Sequence, residues 1–384
     1  MATQEEIHIL NEQVMRFNRL FYFLSTLDWV FPPSVKKWTI YLVPYFVLTA
    51  WLSCVHTAIV TDTQQVAFLY SVIYIGASYQ MIIKYYTIFL SRKNDFDGMM
   101  KYMDNLTKAG KLEFADEIRK KRLRNILKIS VPVAKTIWIF FNITGVSMML
   151  YGLRETKCCA TFCKIPEILL PQDHYLFFPV NLVYGILSFI GLFEVTATLD
   201  TYFIVILSYF VGELSAIKEI IQYLDRSEIV ATQCQEILLF IHEAHREVLH
   251  YIGVLRKIYW HLNIHLIFTG FFYICILLFM TRFYQATIAT YFAAMSATIQ
   301  LFSICLFGQI LRNRTEAVGE ALYQTRWYEM GLKEQKALLI IMSHSQEPVG
   351  LVAGGIMDIS LSTFAIVMRT AISYGAILYT VIGD

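Results

Sequence analysis

Residues 91–130, SRKNDFDGMMKYMDNLTKAGKLEFADEIRKKRLRNILKIS, run straight into residues 131–151, VPVAKTIWIFFNITGVSMMLY, and that junction decides the fold. The first stretch holds 11 Lys and Arg, whereas the second holds Lys135 alone. A helix needs ~20 apolar residues to cross a hydrocarbon core of ~30 Å, and the second stretch supplies them. Six other stretches read the same way, giving seven spans at 38–60, 67–90, 131–151, 178–211, 259–281, 286–309 and 354–381. Between them, Lys and Arg number 4 (1–37), 11 (91–130), 5 (212–258) and 5 (310–353) on one side. On the other side they number 0 (61–66), 3 (152–177), 1 (282–285) and 0 (382–384). Positive charge is retained on the cytoplasmic face, so the N-terminus is expected inside and the C-terminus outside. That orientation is the reverse of a G protein-coupled receptor.

Composition supports a polytopic helical membrane protein. Hydrophobic residues make up 57%, charged residues 16% and the mean hydropathy is +0.51, against about 45–50% and 25% in soluble domains. A net charge of +2 says little beside the asymmetry between faces. The run Arg119-Lys120-Lys121-Arg122-Leu123-Arg124 sits where the chain re-enters the membrane, which suits lipid headgroups rather than nucleic acid. Residues 1–15 are polar, so no cleavable signal peptide is expected. The sequons at Asn105, Asn142 and Asn313 fall in cytosol or lipid and should stay unglycosylated. Of seven cysteines, Cys54, Cys234, Cys275 and Cys305 are isolated and read as small packing residues. Cys158, Cys159 and Cys163 cluster in the longest outside loop, where one disulfide is expected. No metal site is expected, since that loop offers only His174.

The inside segments 212–258 and 316–347 carry apolar residues at helical spacing among charges, such as Ile217, Ile220, Ile221 and Leu224. The membrane helices should therefore continue into the cytosol and pack there. Pro348 with Gly350, Gly354 and Gly355 splits the seventh element into a cytosolic helix, a linker and a membrane helix. The whole chain, 1–384, reads as one seven-span unit with no repeat.

Catalysis finds no constellation. Lys84 and Lys135 fall near the inner ends of their spans, where long side chains snorkel to the interface. Asp200 is expected at the inner boundary, and the deeper Glu194 needs a hydroxyl or water partner. His242 and His245 form an i,i+3 pair flanking Glu243 and read as a solvated or interface-facing pair rather than metal ligands. No phosphate loop or nucleophile elbow occurs, so neither an enzyme nor a cofactor is expected.

Aromatic residues, 15% of the chain, gather with hydroxyls at outer-half depth. Tyr70, Tyr74 and Ser78 share a face of the second span. Phe141, Thr144, Gly145 and Met148 do so in the third, with Tyr184, Ser188, Phe189 and Phe193 in the fourth and Tyr291, Ala294, Met295 and Thr298 in the sixth. Two readings fit: a cavity for a small, weakly polar ligand, or ordinary helix packing, which draws on the same residue types.

The chain ends LVAGGIMDISLSTFAIVMRTAISYGAILYTVIGD (351–384). On a helical wheel Arg369, Ser373, Ala376, Ile377 and Thr380 form one stripe that narrows to Ile377, Thr380 and Val381. Such a stripe suits a pore with a hydrophobic constriction, or a small-residue packing face. Here the sequence resembles the insect odorant receptors. The resemblance rests on Ser360-Leu361, Thr363-Phe364, Arg369 and Ser373-Tyr374. Upstream, Tyr323 and Trp327 in ALYQTRWYEM, Gln346-x-Pro348 and Ala353-Gly354-Gly355 extend it.

The resemblance implies an odorant-gated, non-selective cation channel in the plasma membrane of olfactory sensory neuron dendrites. It implies a hetero-oligomer, a tetramer with the shared odorant co-receptor, and a small neutral volatile as ligand. Spans two to six would hold the pocket, Ile377, Thr380 and Val381 would form the gate, and Tyr323 with Trp327 would pack in the cytosolic subunit anchor. A gustatory receptor typically ends in Thr-Tyr, five apolar residues, then Gln-Phe; this chain has Ser373-Tyr374, GAILY, then Thr380-Val381. The co-receptor usually has a longer second inside loop, which points here to a ligand-specific tuning subunit. Arg369 on the pore stripe further predicts poor conduction by a homomer, because four like charges around one axis oppose cations.

Overall fold

The computed structural model describes residues 36–60, 66–108, 112–156, 165, 170–171, 173–224, 233–283 and 287–382. The chain folds as α1 (Lys36–Val60), α2 (Val66–Tyr85), a π-helical turn (Tyr86–Ser91), α3 (Lys93–Asn105), α4 (Glu113–Thr156) and α5 (Phe177–Tyr223). Then follow α6 (Cys234–Phe283), α7 (Ile288–Gln324), a 3₁₀ turn (Trp327–Glu329), α8 (Leu332–Ser345), strands β1 (Val352–Ala353) and β2 (Met357–Asp358), and α9 (Leu361–Ile382).

Helix length sets the architecture. At ~1.5 Å per residue, the 44, 47, 50 and 37 residues of α4 to α7 make rods of about 55–75 Å. A hydrocarbon core of ~30 Å covers only part of each, so the bundle continues well past the membrane. These four are each apolar and long enough to cross; α1 and α9 add the shorter apolar segments Val47–Val60 and Leu361–Ile377. Glu113 and Asp116 in the first turn of α4, and Arg154 in its last, match the helix dipole. Within the apolar parts, hydroxyls bond to their own helix: Thr144 to Phe140 O (3.0 Å), Thr201 to Ala197 O (2.9 Å) and Thr269 to His265 O (2.7 Å). This satisfies the polar group where water is absent.

α5 is the central strut. Every residue from Ala197 to Ile217 is buried, the condition of a helix that is apolar all round. In the extension beyond the membrane, Arg119 of α4 donates to Glu213 Oε1 of α5 at 2.8 and 3.1 Å and lies 5.0 Å from the Phe240 ring. Burial raises the Glu213 pKa, and the Arg119 charge opposes that rise. Tyr102 of α3 stacks on Tyr251 of α6 with centroids 4.3 Å apart.

The seventh element is split, as its sequence predicts, but the break holds a two-residue hairpin pairing Val352 with Asp358 and Ala353 with Met357. Gly354 and Gly355 make its turn at φ 60° and 72°, a region closed to most residues with a side chain. Gly354 N donates to Trp260 O (2.8 Å), and Arg312 pairs with Asp358, so the hairpin is tied to both α6 and α7.

Two local expectations are corrected. Lys84 does not snorkel; it is buried and paired with Asp200, which also accepts from Gln300. His245 is buried rather than solvated, and burial, with His242 and His344 nearby, pulls its pKa down to about 4.

Candidate functional site

A cavity of about 80 Å³ opens among five helices. α2 contributes Ile73, Ala77 and Gln80; α4 contributes Phe141, Thr144 and Met148. α5 supplies Leu192, Phe193 and Thr196, and α6 supplies Tyr273 and Leu277. α7 closes it with Ala293, Ser296, Ala297 and Gln300. On each helix these positions recur at i, i+3 or i+4, so one stripe per helix faces the void.

Four residues singled out from sequence line it: Phe141, Thr144, Met148 and Phe193. Five more build its wall from behind. The Tyr70 hydroxyl meets Thr290 Oγ1 at 2.8 Å and its ring lies 5.7 Å from Tyr151, fastening α2 to α7 and α4 one turn away. Tyr74 packs on Phe189 (5.5 Å), which stacks on Phe193 (5.6 Å, 14°). A Cβ on Gly145 would stand 2.9 Å from Phe193 Cγ, so only glycine lets that ring lie across α4. Ser78 is buried and donates to its own helix at Tyr74 O (2.6 Å). Ser188 is buried without reaching the void.

On α7 the expected face is turned away. Met295 is 52% exposed, Tyr291 is exposed as well, and Ala294 packs beside the cavity without lining it. The correction is one of rotation. Lipid is as apolar as a core, so large aromatic and Met residues on α7 face outward while Ala293, Ser296, Ala297 and Gln300 face in. Sequence reading also missed Gln80 and the α6 residues Tyr273 and Leu277. The available signal was the i,i+4 spacing of Gln80 to Lys84 and the single hydroxyl-bearing aromatic, Tyr273, in GFFYICILL (270–278).

Polar support lies alongside. Gln300 lines the cavity and its amide nitrogen reaches Asp200, itself paired with Lys84. Near Glu194, Thr198 Oγ1 donates to Glu194 O (2.6 Å), Trp138 Nε1 to Thr198 Oγ1 (3.3 Å) and Asn142 Nδ2 to Trp138 O (2.9 Å).

The remaining expected residues occupy two other regions. On α9, Arg369, Ser373 and Ile377 share an exposed stripe, with Ser373 Oγ donating to Arg369 O (2.9 Å). The opposite face, including Thr363, Val367 and Ala371, is buried. The side chains of Thr380 and Val381 fall outside the described residues, as do Cys158, Cys159 and Cys163. Tyr323 and Trp327 are exposed at the far end of α7. Near them, α6 and α8 frame an apolar groove of about 330 Å³ that includes Leu238, Leu239, Ile340 and Ile341. Among the described residues, no group of three or more His, Cys, Asp or Glu is placed to hold a metal.

The family model described as 7tm Odorant receptor matches residues 64–372, well over half of the chain. The chain belongs to that family. Odorant receptor 2a of Drosophila melanogaster is 35% identical over 83 residues, covering 22% of this chain and 21% of that protein. Odorant receptor 49a of the same fly is 31% identical over 83 residues, with the same coverage. The chain thus aligns with about a fifth of the length of these curated relatives. The fold matches the insect olfactory receptor OR5 from Machilis hrabei in complex with eugenol. That match has a TM-score of 0.82 and 15% identity, covering 98% of this chain and 100% of that one. A second structure of OR5 from Machilis hrabei matches with TM-score 0.82 and 14% identity, at the same coverage. This odorant receptor is a helical membrane protein.

Proposed function

We propose that this odorant receptor is the ligand-specific subunit of an odorant-gated, non-selective cation channel. One observation carries the reading: a mostly apolar cavity to which five helices each present a stripe. Apolar walls with a few polar groups suit a small neutral volatile. The fold likeness to a receptor whose structure holds eugenol supports a ligand of that general size. At about 80 Å³ the void is about half the ~150 Å³ of an apolar cavity that takes up benzene. An aromatic ligand therefore enters only as Phe141, Phe193 or Met148 rotate, and binding favours whichever arrangement makes that room.

In this reading the receptor is one seven-span unit with its N-terminus in the cytosol, in the plasma membrane of olfactory sensory neuron dendrites. The exposed α9 stripe of Arg369, Ser373 and Ile377, continued by Thr380 and Val381, lines a pore shared with co-receptor subunits. Tyr323, Trp327 and the groove between α6 and α8 form the intersubunit anchor. Cys158, Cys159 and Cys163 supply one disulfide outside. The test is whole-cell current in a heterologous cell expressing the chain alone, then with an insect odorant co-receptor, under a volatile panel. Fast, GTP-independent cation current only on co-expression is expected; a current that requires GTP overturns the channel reading.

A further inference from the structure

The polar atoms around the cavity divide into those already engaged and those that are not. Thr144 Oγ1 donates to Phe140 O at 3.0 Å, Ser296 Oγ to Ala293 O at 2.9 Å, and the Gln300 amide nitrogen to Asp200. Three buried polar atoms on lining residues find no hydrogen-bond partner among the described residues: Gln80 Nε2, Tyr273 Oη and Thr196 Oγ1. Gln80 is 3% exposed and Tyr273 is buried, so water outside the bundle does not satisfy them. They come from α2, α6 and α5, and the residues that carry them line one void of about 80 Å³. Tyr273 is set against α2 there: its hydroxyl would stand 2.7 Å from a Cβ built on Gly76, one turn before Gln80.

The chemistry of the three atoms is asymmetric. An amide nitrogen donates and cannot accept, whereas the two hydroxyls do either. A hydrocarbon in the void leaves these groups unpaired at a cost of about 1–3 kcal/mol per buried group (tenfold in affinity for each ~1.4 kcal/mol), whereas a ligand that offers the complementary atom pairs them. A group complementary to Gln80 must therefore be an acceptor. We propose that Gln80 and Tyr273 form a hydrogen-bond-donor subsite that selects ligands bearing one acceptor, a ketone, ester, ether or aza-aromatic nitrogen, over hydrocarbons of the same shape. The subsite rests on the reading of this cavity as the odorant site. It adds direction to an otherwise non-directional apolar pocket: the apolar body of the ligand lies against Phe141, Phe193 and Met148, and its acceptor points at α2 and α6.

The test compares matched volatiles on the full chain co-expressed with co-receptor: acetophenone against cumene, 2-hexanone against 2-methylhexane, and pyridine against benzene. The wild-type receptor is expected to respond to the acceptor-bearing member at concentrations about tenfold or more below its partner. Gln80→Met and Tyr273→Phe remove the donor at nearly constant size, and each should erase most of that preference, read as the ratio of the two potencies within one variant. Surface labelling reports whether each variant reaches the membrane; if Gln80→Met does not, Tyr273→Phe decides alone. Preference retained in both variants, while Phe193→Ala alters potency, overturns the subsite and leaves the cavity as the odorant site. Indifference to all three substitutions overturns both. A receptor that answers hydrocarbons as well as their acceptor partners, or ignores the acceptor-bearing set, overturns the subsite.

Discussion

Asp200→Asn isolates a buried ion pair between α2 and α5. Lys84 and Asp200 have side-chain exposures of only 4% and 9%, and the Asp200 carboxylate also takes the Gln300 amide. Asparagine keeps the shape and removes the charge, leaving a buried ammonium that no other described side chain pairs with in an ion pair. Breaking a buried pair from one side costs about 3–5 kcal/mol, because the surviving charge stays desolvated. Removing both charges costs far less, so Lys84→Met with Asp200→Asn should recover most of the loss. A double-mutant cycle on detergent-solubilised receptor measures this directly. The single variant is expected to lower the melting temperature by on the order of 5 °C, and the coupling between sites should exceed about 2 kcal/mol. If Lys84 instead reached water by snorkelling, the pair would behave as an exposed one, worth about 0–1 kcal/mol. A single-variant loss below about 1 kcal/mol with no coupling refutes the buried-pair reasoning.

Other perturbations test separate parts of the molecule. Gly145→Ala places a Cβ 2.9 Å from the Phe193 ring, and such overpacking costs about 1–3 kcal/mol; potency for aromatic ligands should fall in dose–response recordings, and an unchanged dose–response removes Phe193 from the pocket. His245 is neutral when folded, with a pKa near 4 against 6.5 unfolded. The unfolded chain thus binds more protons between those values, and stability is lost as pH falls from about 6.5 to 4. The loss reaches about 3 kcal/mol at most. His245→Gln should flatten that slope in thermal melts taken across the window, and a wild-type melt independent of pH there contradicts it. Arg369→Ser should raise current from the chain expressed alone, since the repulsion of four guanidinium groups around one axis disappears; strong current from the wild-type homomer contradicts the premise.

The sequence by itself determined the class of fold, and the reason is energetic. Backbone polar groups in lipid must be satisfied within the segment, so apolar stretches such as 131–151 and 259–281 have no choice but helix. Amphipathic continuations such as Ile217, Ile220 and Ile221 already required helices that outrun the membrane, and Pro348 with the Gly354-Gly355 pair marked the break before α9. Periodicity also put Phe141, Thr144 and Met148 on one face, the face that lines the cavity.

Only the tertiary structure decided which way the other faces turn. In water the buried side of a helix is its apolar side; in lipid both sides are apolar, and hydrophobicity loses its power to orient. That is why α7 was misphased and Met295 faces out while Gln300 faces in. The same blindness hid Lys84 with Asp200, which are 116 residues apart and meet only when α2 packs near α5. It hid the three hydrogen-bonding atoms of Gln80, Thr196 and Tyr273 too, each unremarkable on its own helix and convergent only where those helices enclose a common void.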